Sequence, residues 1–400
     1  MINDRHDWSS SFIETLQWRT DVKRARDGES EERIALRSSP RRTVRTGMHV
    51  GVKKDGELHG SETQGQIKFL PGATKPTEAV AGDTLRLPQN ADFYGFDAGD
   101  VAIVSADGTV QIEEATPTQT DLLIFDSAVT VTLGDVVYPL MNVRLAGPME
   151  LGVRSSFLRT AEAEWIQTDS TRWYGDEDDL TLTRDSNLET FEPVSGADDV
   201  EVFWREASDQ GESLAVRVEQ FDPGLGDIDF FDVDGIPRAT IRKTIVLIGR
   251  EEIWSMRRFL YRQRGRYGAF FVPAGHDLGF QEVAEDSGTN FWVVSDTGWV
   301  DTLPDARFAV VGHYADGTRS YHTIGDVADE SHPSLPIGGG EYWLLNAYPA
   351  FGATAPVAVD WLVYSRLAND AHSIEWTSTD TASIDLEFYP LQFPSSWPGV

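Results

Sequence analysis

Five arginines, Arg257, Arg258, Arg262, Arg264 and Arg266, fall within ten residues of a chain whose formal net charge is −31. A guanidinium is planar, always charged and suited to bidentate pairing with carboxylates. Such a run either solvates a helix face or meets an acidic surface. The other residues that could do chemistry form no catalytic pattern. His276 and Asp277 are adjacent, but neighbours in a strand point to opposite faces and make a poor acid–base pair. In "DIDFFDVDG" (227–235), Phe230 and Phe231 displace the ligands that a calcium loop needs. "GDEDD" (175–179) reads as a solvated acidic loop. No pair among the 65 acidic residues stands out for glycoside chemistry. His-Glu-x-x-His, P-loop and Gly-x-Ser-x-Gly motifs are missing. The glycines at 338–340 precede Glu-Tyr-Trp rather than a helix start. The chain has no cysteine, which excludes disulfides and thiolate sites. The expectation is a protein without catalytic residues, metal or cofactor.

Charge and composition narrow the class further. A surface this acidic repels phosphate, which argues against stable nucleic-acid binding. Residues 1–48 nevertheless hold ten Lys/Arg against eight Asp/Glu, and residues 236–268 hold nine against two. Two basic segments in an acidic chain suggest contact with acidic neighbours or with another subunit. No run of 18 apolar residues occurs, so membrane insertion is not expected. "MINDRHDWSSSFIETLQW" has no apolar core of the signal-peptide kind. Twelve tryptophans could stack on sugars. Trp292, Trp299, Trp343, Trp361 and Trp376 lie in strand-like segments, where core packing is the better expectation.

The elements that would position these side chains are mostly strands. Residues 32–48 read as two strands around a Ser-Ser-Pro turn, and 85–146 as a series of short strands of the barrel or sandwich kind. "VEVFWREA" (200–207) and "SLAVRVEQF" (213–221) each read as one strand, and 222–237 as a loop. The one helix spans 250–264. Ile253, Met256, Phe259 and Leu260 share a face at helical spacing. Glu251 and Glu252 suit its first turn, and Arg262 and Arg264 its last. Gly265 is a natural stop. A short repeat is visible: "GDVAIVSADGTVQIEEA" (99–115) is similar to "ARFAVVGHYADGTRSYHTIGDV" (306–327). Each is followed by a similar segment, "VVYPLMNVRLA" (136–146) and "WLVYSRLA" (361–368).

Two segments together resemble a known family. They are "GESEERIALRSSPRRTV" (28–44) and "IWSMRRFLYRQRGRYGAFFVPAGHDL" (253–278). Their order is similar to that in distal tail and tail-tip (baseplate hub-like) proteins of tailed bacteriophages. The resemblance matches Glu32-Arg33 and Arg41-Arg42 to a strand pair, and Phe259 and Leu260 to a buried helix face. It matches Gly265-Arg266 and Phe270 to the helix stop and the next strand, and Asp277 to a closing acid. It implies a mainly-β, distal-tail-like core with one amphipathic helix, elaborated by small β-barrel or sandwich domains. The core would be discontinuous, 1–48 plus 237–285. Residues 49–150 would form an inserted β-domain, 151–236 an insertion or core extension, and 286–400 a C-terminal β-domain, a candidate repeat of the inserted one. The implied function is that of a structural virion protein in the tail tip, made in the host cytoplasm. It would form a homo-oligomeric ring of six or three copies, joining the tail tube to other baseplate proteins. DNA would pass through the ring without being held. Arg33, Arg41, Arg42, Arg257, Arg258, Arg262, Arg264 and Arg266 become candidates for the contact between subunits. The alternative is a receptor- or glycan-binding module of the same tail.

Overall fold

A computed structural model describes residues 12–24, 31–37, 39–52, 58–59, 64–96, 99–117, 121–153, 158–168, 189–193, 199–203, 205, 207–215, 218–221, 229–232, 238–277, 280–283, 290–295, 308–329, 341–351 and 354–391. The protein is mainly β, with one α-helix, Arg250–Gln263, among the described residues. Nearly all strands join one large, mostly antiparallel sheet that bends around several hydrophobic cores. Alternation in the sequence explains the strands locally. In Phe12–Gln17, Phe12, Glu14 and Leu16 point inward. In Ala371–Trp376, His372, Ile374 and Trp376 do so. A period of two puts every second residue on one face.

The helix follows its predicted register. Ile253, Met256, Phe259 and Leu260 are all buried in the main core. It ends on two left-handed residues, Arg264 at φ 50° and Gly265 at φ 67°. A side chain at Gly265 would lie 2.5 Å from Asp370 Oδ1 and 3.1 Å from Trp18 Cβ, so only glycine fits. Elsewhere three expectations change. The segment 213–221 is not one strand, because Asp209–Ala215 joins the large sheet and Val218–Phe221 forms a separate hairpin with Asp229–Asp232. That hairpin also places a strand inside the expected loop. The strand expected over 200–207 is confined to Val200–Val202. The expected acidic loop at 175–179 and the glycines at 338–340 lie outside the described residues.

The main core does not stop at residues 48 and 286. It also takes Ile67, Phe69, Met141, Val143 and Trp165 from the middle of the chain, and Leu367, Ile374, Trp376 and Phe388 from the end. The reason is hydrogen bonding. Phe12–Gln17 is paired along both edges, with Arg41–Val52 on one side and Ala371–Trp376 on the other. A second cluster, including Leu85, Tyr94, Val101, Ile103, Leu123 and Val137, fills the inserted unit.

The repeat is far larger than the turn that betrays it. Strands Phe12–Gln17, Thr20–Arg24, Glu31–Ala35 and Arg41–Val52 are answered by Asp209–Ala215, Val218–Phe221, Asp229–Asp232 and Arg238–Ile248. In each set the first strand pairs with the fourth, and the second with the third. Further on, Gly99–Val104 pairs with Val110–Pro117 and Val136–Leu145, and Phe308–His313 pairs in the same manner with Arg319–Asp329 and Ala358–Leu367. The hairpins Glu150–Val153/Leu158–Gln167 and Ala371–Trp376/Thr381–Pro390 close the two series. Register is kept across them. Arg45 opposes Glu164 in one and Arg242 opposes Glu387 in the other. Matching ion pairs follow, Arg45–Glu162 at 2.7 Å and Arg242–Asp385 at 3.2 Å. The chain is thus two like-wired units in tandem, and among the described residues the helix sits only in the second, between Arg238–Ile248 and Phe270–Asp277.

The Ala-Asp-Gly-Thr turns are built alike. Gly108 and Gly317 have φ of 86° and 84°, and Asp107 and Asp316 each accept the N–H two residues on. A side chain at either glycine would meet nothing within 4 Å. Gly108→Ala and Gly317→Ala should therefore each cost about 1–2 kcal/mol from backbone strain alone, read by urea denaturation. Two unequal losses would show that the turns are not equivalent.

Candidate functional site

Two of the arginines, Arg42 and Arg257, converge on one buried carboxylate where the two units meet. Glu14 is fully buried in the middle of Phe12–Gln17. Arg42 Nε donates to its Oε1 at 2.6 Å, Arg257 Nη2 donates to its Oε2, and Trp376 Nε1 reaches the same oxygen at 3.4 Å. The guanidiniums lie against aromatic faces. Arg42 is 4.5 Å from the Phe69 centroid, and Arg257 is 5.2 Å from Phe69 and 5.1 Å from Trp376. Phe69 and Trp376 pack edge-on at 5.9 Å. Aromatic faces partly offset the second positive charge. Burial alone would raise the Glu14 pKa, but Arg257 and Arg42 outweigh it and hold the carboxyl below its ordinary range. Glu14 and Arg42 come from the first unit, and Arg257 and Trp376 from the second, so the triad ties them together.

Other arginines repeat the theme around the helix. Arg262 donates to Glu201 through Nε at 3.1 Å and Nη2 at 2.6 Å, and Gln263 Nε2 donates to the same carboxylate at 2.8 Å. Arg258 is buried over the Trp254 ring at 4.6 Å. Asp370 accepts the Arg266 N–H at 3.0 Å, Arg266 Nη2 at 3.2 Å and the Thr20 N–H at 2.8 Å. Burial opposes its ionisation, but these donors hold its pKa low. Arg266 Nη2 also donates to the Thr20 carbonyl at 2.7 Å. Arg264 caps the helix, donating its N–H to Leu260 O at 3.0 Å, while its own carbonyl accepts Thr20 Oγ1 at 3.3 Å. Arg33 Nη1 donates to Gly268 O at 3.1 Å and lies 3.6 Å from Glu31. Glu31 in turn holds the buried Arg366, accepting from its Nε at 2.7 Å.

Five of the eight candidate arginines therefore take internal carboxylates: Arg33, Arg42, Arg257, Arg262 and Arg266. Arg42, Arg257 and Arg258 are buried inside one chain and offer no surface to a neighbour. The physical reason is that their partners, Glu14 above all, sit on strands that arrive from distant parts of the sequence. Arg41 stays exposed, Arg264 and Arg266 are half-buried, and Arg33 keeps about a fifth of its surface.

Sequence reasoning passed over Arg250. Its Nη1 and Nη2 donate to the carbonyls of Pro71 and Ala73, each at 2.8 Å, and its Nε lies 2.8 Å from Asp380. A signal was present, since a cation in the first turn opposes the helix dipole and needs a tertiary reason. Also passed over was a polar chain on Arg319–Asp329. Ser320 Oγ lies 2.5 Å from His322 Nε2, whose Nδ1 lies 2.5 Å from the Pro349 carbonyl, and Tyr314 Oη is 2.9 Å from Ser320. Alternation places 320 and 322 on one face, which was legible. Burial pushes His322 down to about 4, so the ring stays neutral and takes a hydroxyl proton donor. The orienting group is a carbonyl rather than a carboxylate, and the chain stitches a hairpin to the loop at Phe351. His276 and Asp277 close the strand Phe270–Asp277.

No group of histidine and acidic side chains suited to a metal occurs among the described residues. Trp292 and Trp376 are buried, Trp361 packs against the main core, and Trp299 lies outside the described residues. No protein-family model matches the chain, and no curated protein matches it.

Two outcomes follow. Glu14→Gln leaves two buried guanidiniums without their counter-charge, which should cost about 3–5 kcal/mol in urea denaturation. His322 and His372 are both pushed by burial from 6.5 down to about 4. The unfolded chain binds protons there that the folded one refuses, so stability is retained above about 6.5 and falls as pH drops towards 4. Glu14 adds a further loss below its ordinary 4.5. His322→Gln should flatten the slope between pH 6.5 and 4.5 by up to about 1.4 kcal/mol per pH unit. An unchanged slope would show that His322 protonates freely.

Proposed function

We propose that the protein is a structural subunit of a bacteriophage tail tip or baseplate, part of a ring between tail tube and host-recognition apparatus. The observation that carries this is the junction itself. The two segments on which the resemblance rests are far apart in sequence, yet Arg33 reaches Gly268 and Arg42 shares Glu14 with Arg257. A scaffold needs such a rigid junction, because a ring subunit must hold its two contact surfaces at a fixed angle. The tandem build supports the three-copy form, since each chain brings two like units to the ring. The basic segments meet carboxylates inside the chain, so the acidic balance falls on the remainder. A lumen of that sign lets DNA pass without adhesion. No catalytic role is assigned. Contact with the tail tube and with other baseplate proteins falls to the faces that the junction leaves open.

Light scattering with negative-stain imaging tests the proposal, on the protein alone and mixed with tail-tube protein. Closed rings of three or six chains with a central hole are expected. A single-chain mass under both conditions, together with tryptophan quenching by host polysaccharide, would overturn it in favour of a glycan-binding module.

A further inference from the structure

The two like-wired units touch each other in one direction only. Strand Phe12–Gln17 of the first unit pairs with Ala371–Trp376 of the second, Phe12 opposite Trp376 and Glu14 opposite Ile374. The equivalent of Phe12–Gln17 is Asp209–Ala215, because Ile13 opposes Arg45 and Gly211 opposes Arg242. The equivalent of Ala371–Trp376 is Glu150–Val153, because Trp376 opposes Ala382 at the place where Val153 opposes Arg159. The reciprocal ladder does not form. Among the described residues, Asp209–Ala215 pairs only with Arg238–Ile248, and Glu150–Val153 only with Leu158–Gln167.

Exposure shows what the missing ladder leaves open. Ile374 and Trp376 are 0% and 3% exposed under strand Phe12–Gln17, whereas their counterparts Leu151 and Val153 are 44% and 74% exposed. Phe12 is buried, whereas its counterpart Gln210 is exposed, with Asp209 and Gly211 beside it. Among the described residues, one molecule therefore carries two strand edges without a ladder partner, each the counterpart of an edge that pairs inside the chain. Open edges of this kind recruit another strand.

We infer that Asp209–Ala215 of one copy pairs antiparallel with Glu150–Val153 of a second copy, repeating the junction between the units within the chain. Transferring the register sets Gln210 opposite Val153 and Glu212 opposite Leu151. The contact joins two different surfaces, so it propagates head to tail and closes a ring or extends a filament. The triad is not duplicated, since Ala239 stands where Arg42 stands in the first unit. The contact between copies therefore rests on the backbone ladder, with Leu151 and Val153 set opposite the polar residues Glu212 and Gln210, and depends on concentration. The inference rests on the internal wiring and specifies the subunit contact of the proposed ring.

The chain has no cysteine, so the register can be tested by cross-linking. Gln210→Cys/Val153→Cys, oxidised mildly and run on a non-reducing gel, should give a ladder of multimers that dithiothreitol collapses. Mixing the two single variants should give a dimer. The control Gln210→Cys/Val357→Cys uses another exposed residue outside the register and should give at least tenfold less. All three residues are exposed, but Gln210→Cys also removes the hydrogen bond that Gln210 Nε2 donates to the Ala274 carbonyl, so urea denaturation of each variant first confirms that it folds. Equal ladders from test and control overturn the inference. So does a fast-migrating monomer, which would mean that the edges meet within one chain. Rings seen by imaging without the cross-link would overturn this contact while leaving the tail-tip proposal standing.

Discussion

The fold depends on one carboxylate that is fully buried. Glu14 is held between Arg42 and Arg257 and roofed by Phe69 and Trp376. A lone buried carboxylate would take up a proton, and two lone guanidiniums would pull water inward. Together they can be dry, at the expense of tolerating no substitution. Five separate stretches of chain must be in place before this set of charges and rings is complete. The triad therefore does more to specify the arrangement of the two units than to stabilise it, because many apolar packings would be as stable but less selective.

The unequal spread of charge then has a local cause. Basic residues gather in two segments because those segments meet at the junction. The carboxylates they need, Glu14, Glu31, Glu201 and Asp370, come to them from flanking strands. Most of these pairs are half-buried or deeper, where screening by salt is weak. The rest of the chain keeps the negative excess, a balance that opposes self-association.

Differences between the two like-wired units account for the asymmetry of the molecule. Both units keep the strand order and the Arg45–Glu162 and Arg242–Asp385 pairs. Among the described residues only the second carries the helix, and only the first carries an arginine at the position of Arg42, where the second has Ala239. The junction within the chain is thus locked, while the equivalent edges at the far ends are left unlocked.

The sequence by itself determined the local elements. Spacing of Ile253, Met256, Phe259 and Leu260 settled the helix and its buried face, and alternation settled most strands, because both depend on periodicity within a short window. The Ala-Asp-Gly-Thr turns and the Arg-Leu-Ala closings showed that something is repeated, since turn chemistry is local too. Tertiary structure alone decided which charges are surface and which are core. Arg257 and Arg264 look alike in sequence, yet one is buried on Glu14 and the other caps the helix at its rim. The extent of the duplication was hidden for a related reason. Strand pairing conserves register and hydrogen bonds rather than residue identity, so "ETLQWR" (14–19) and "ESLAVR" (212–217) become recognisable as partners only when the ladders on either side are known.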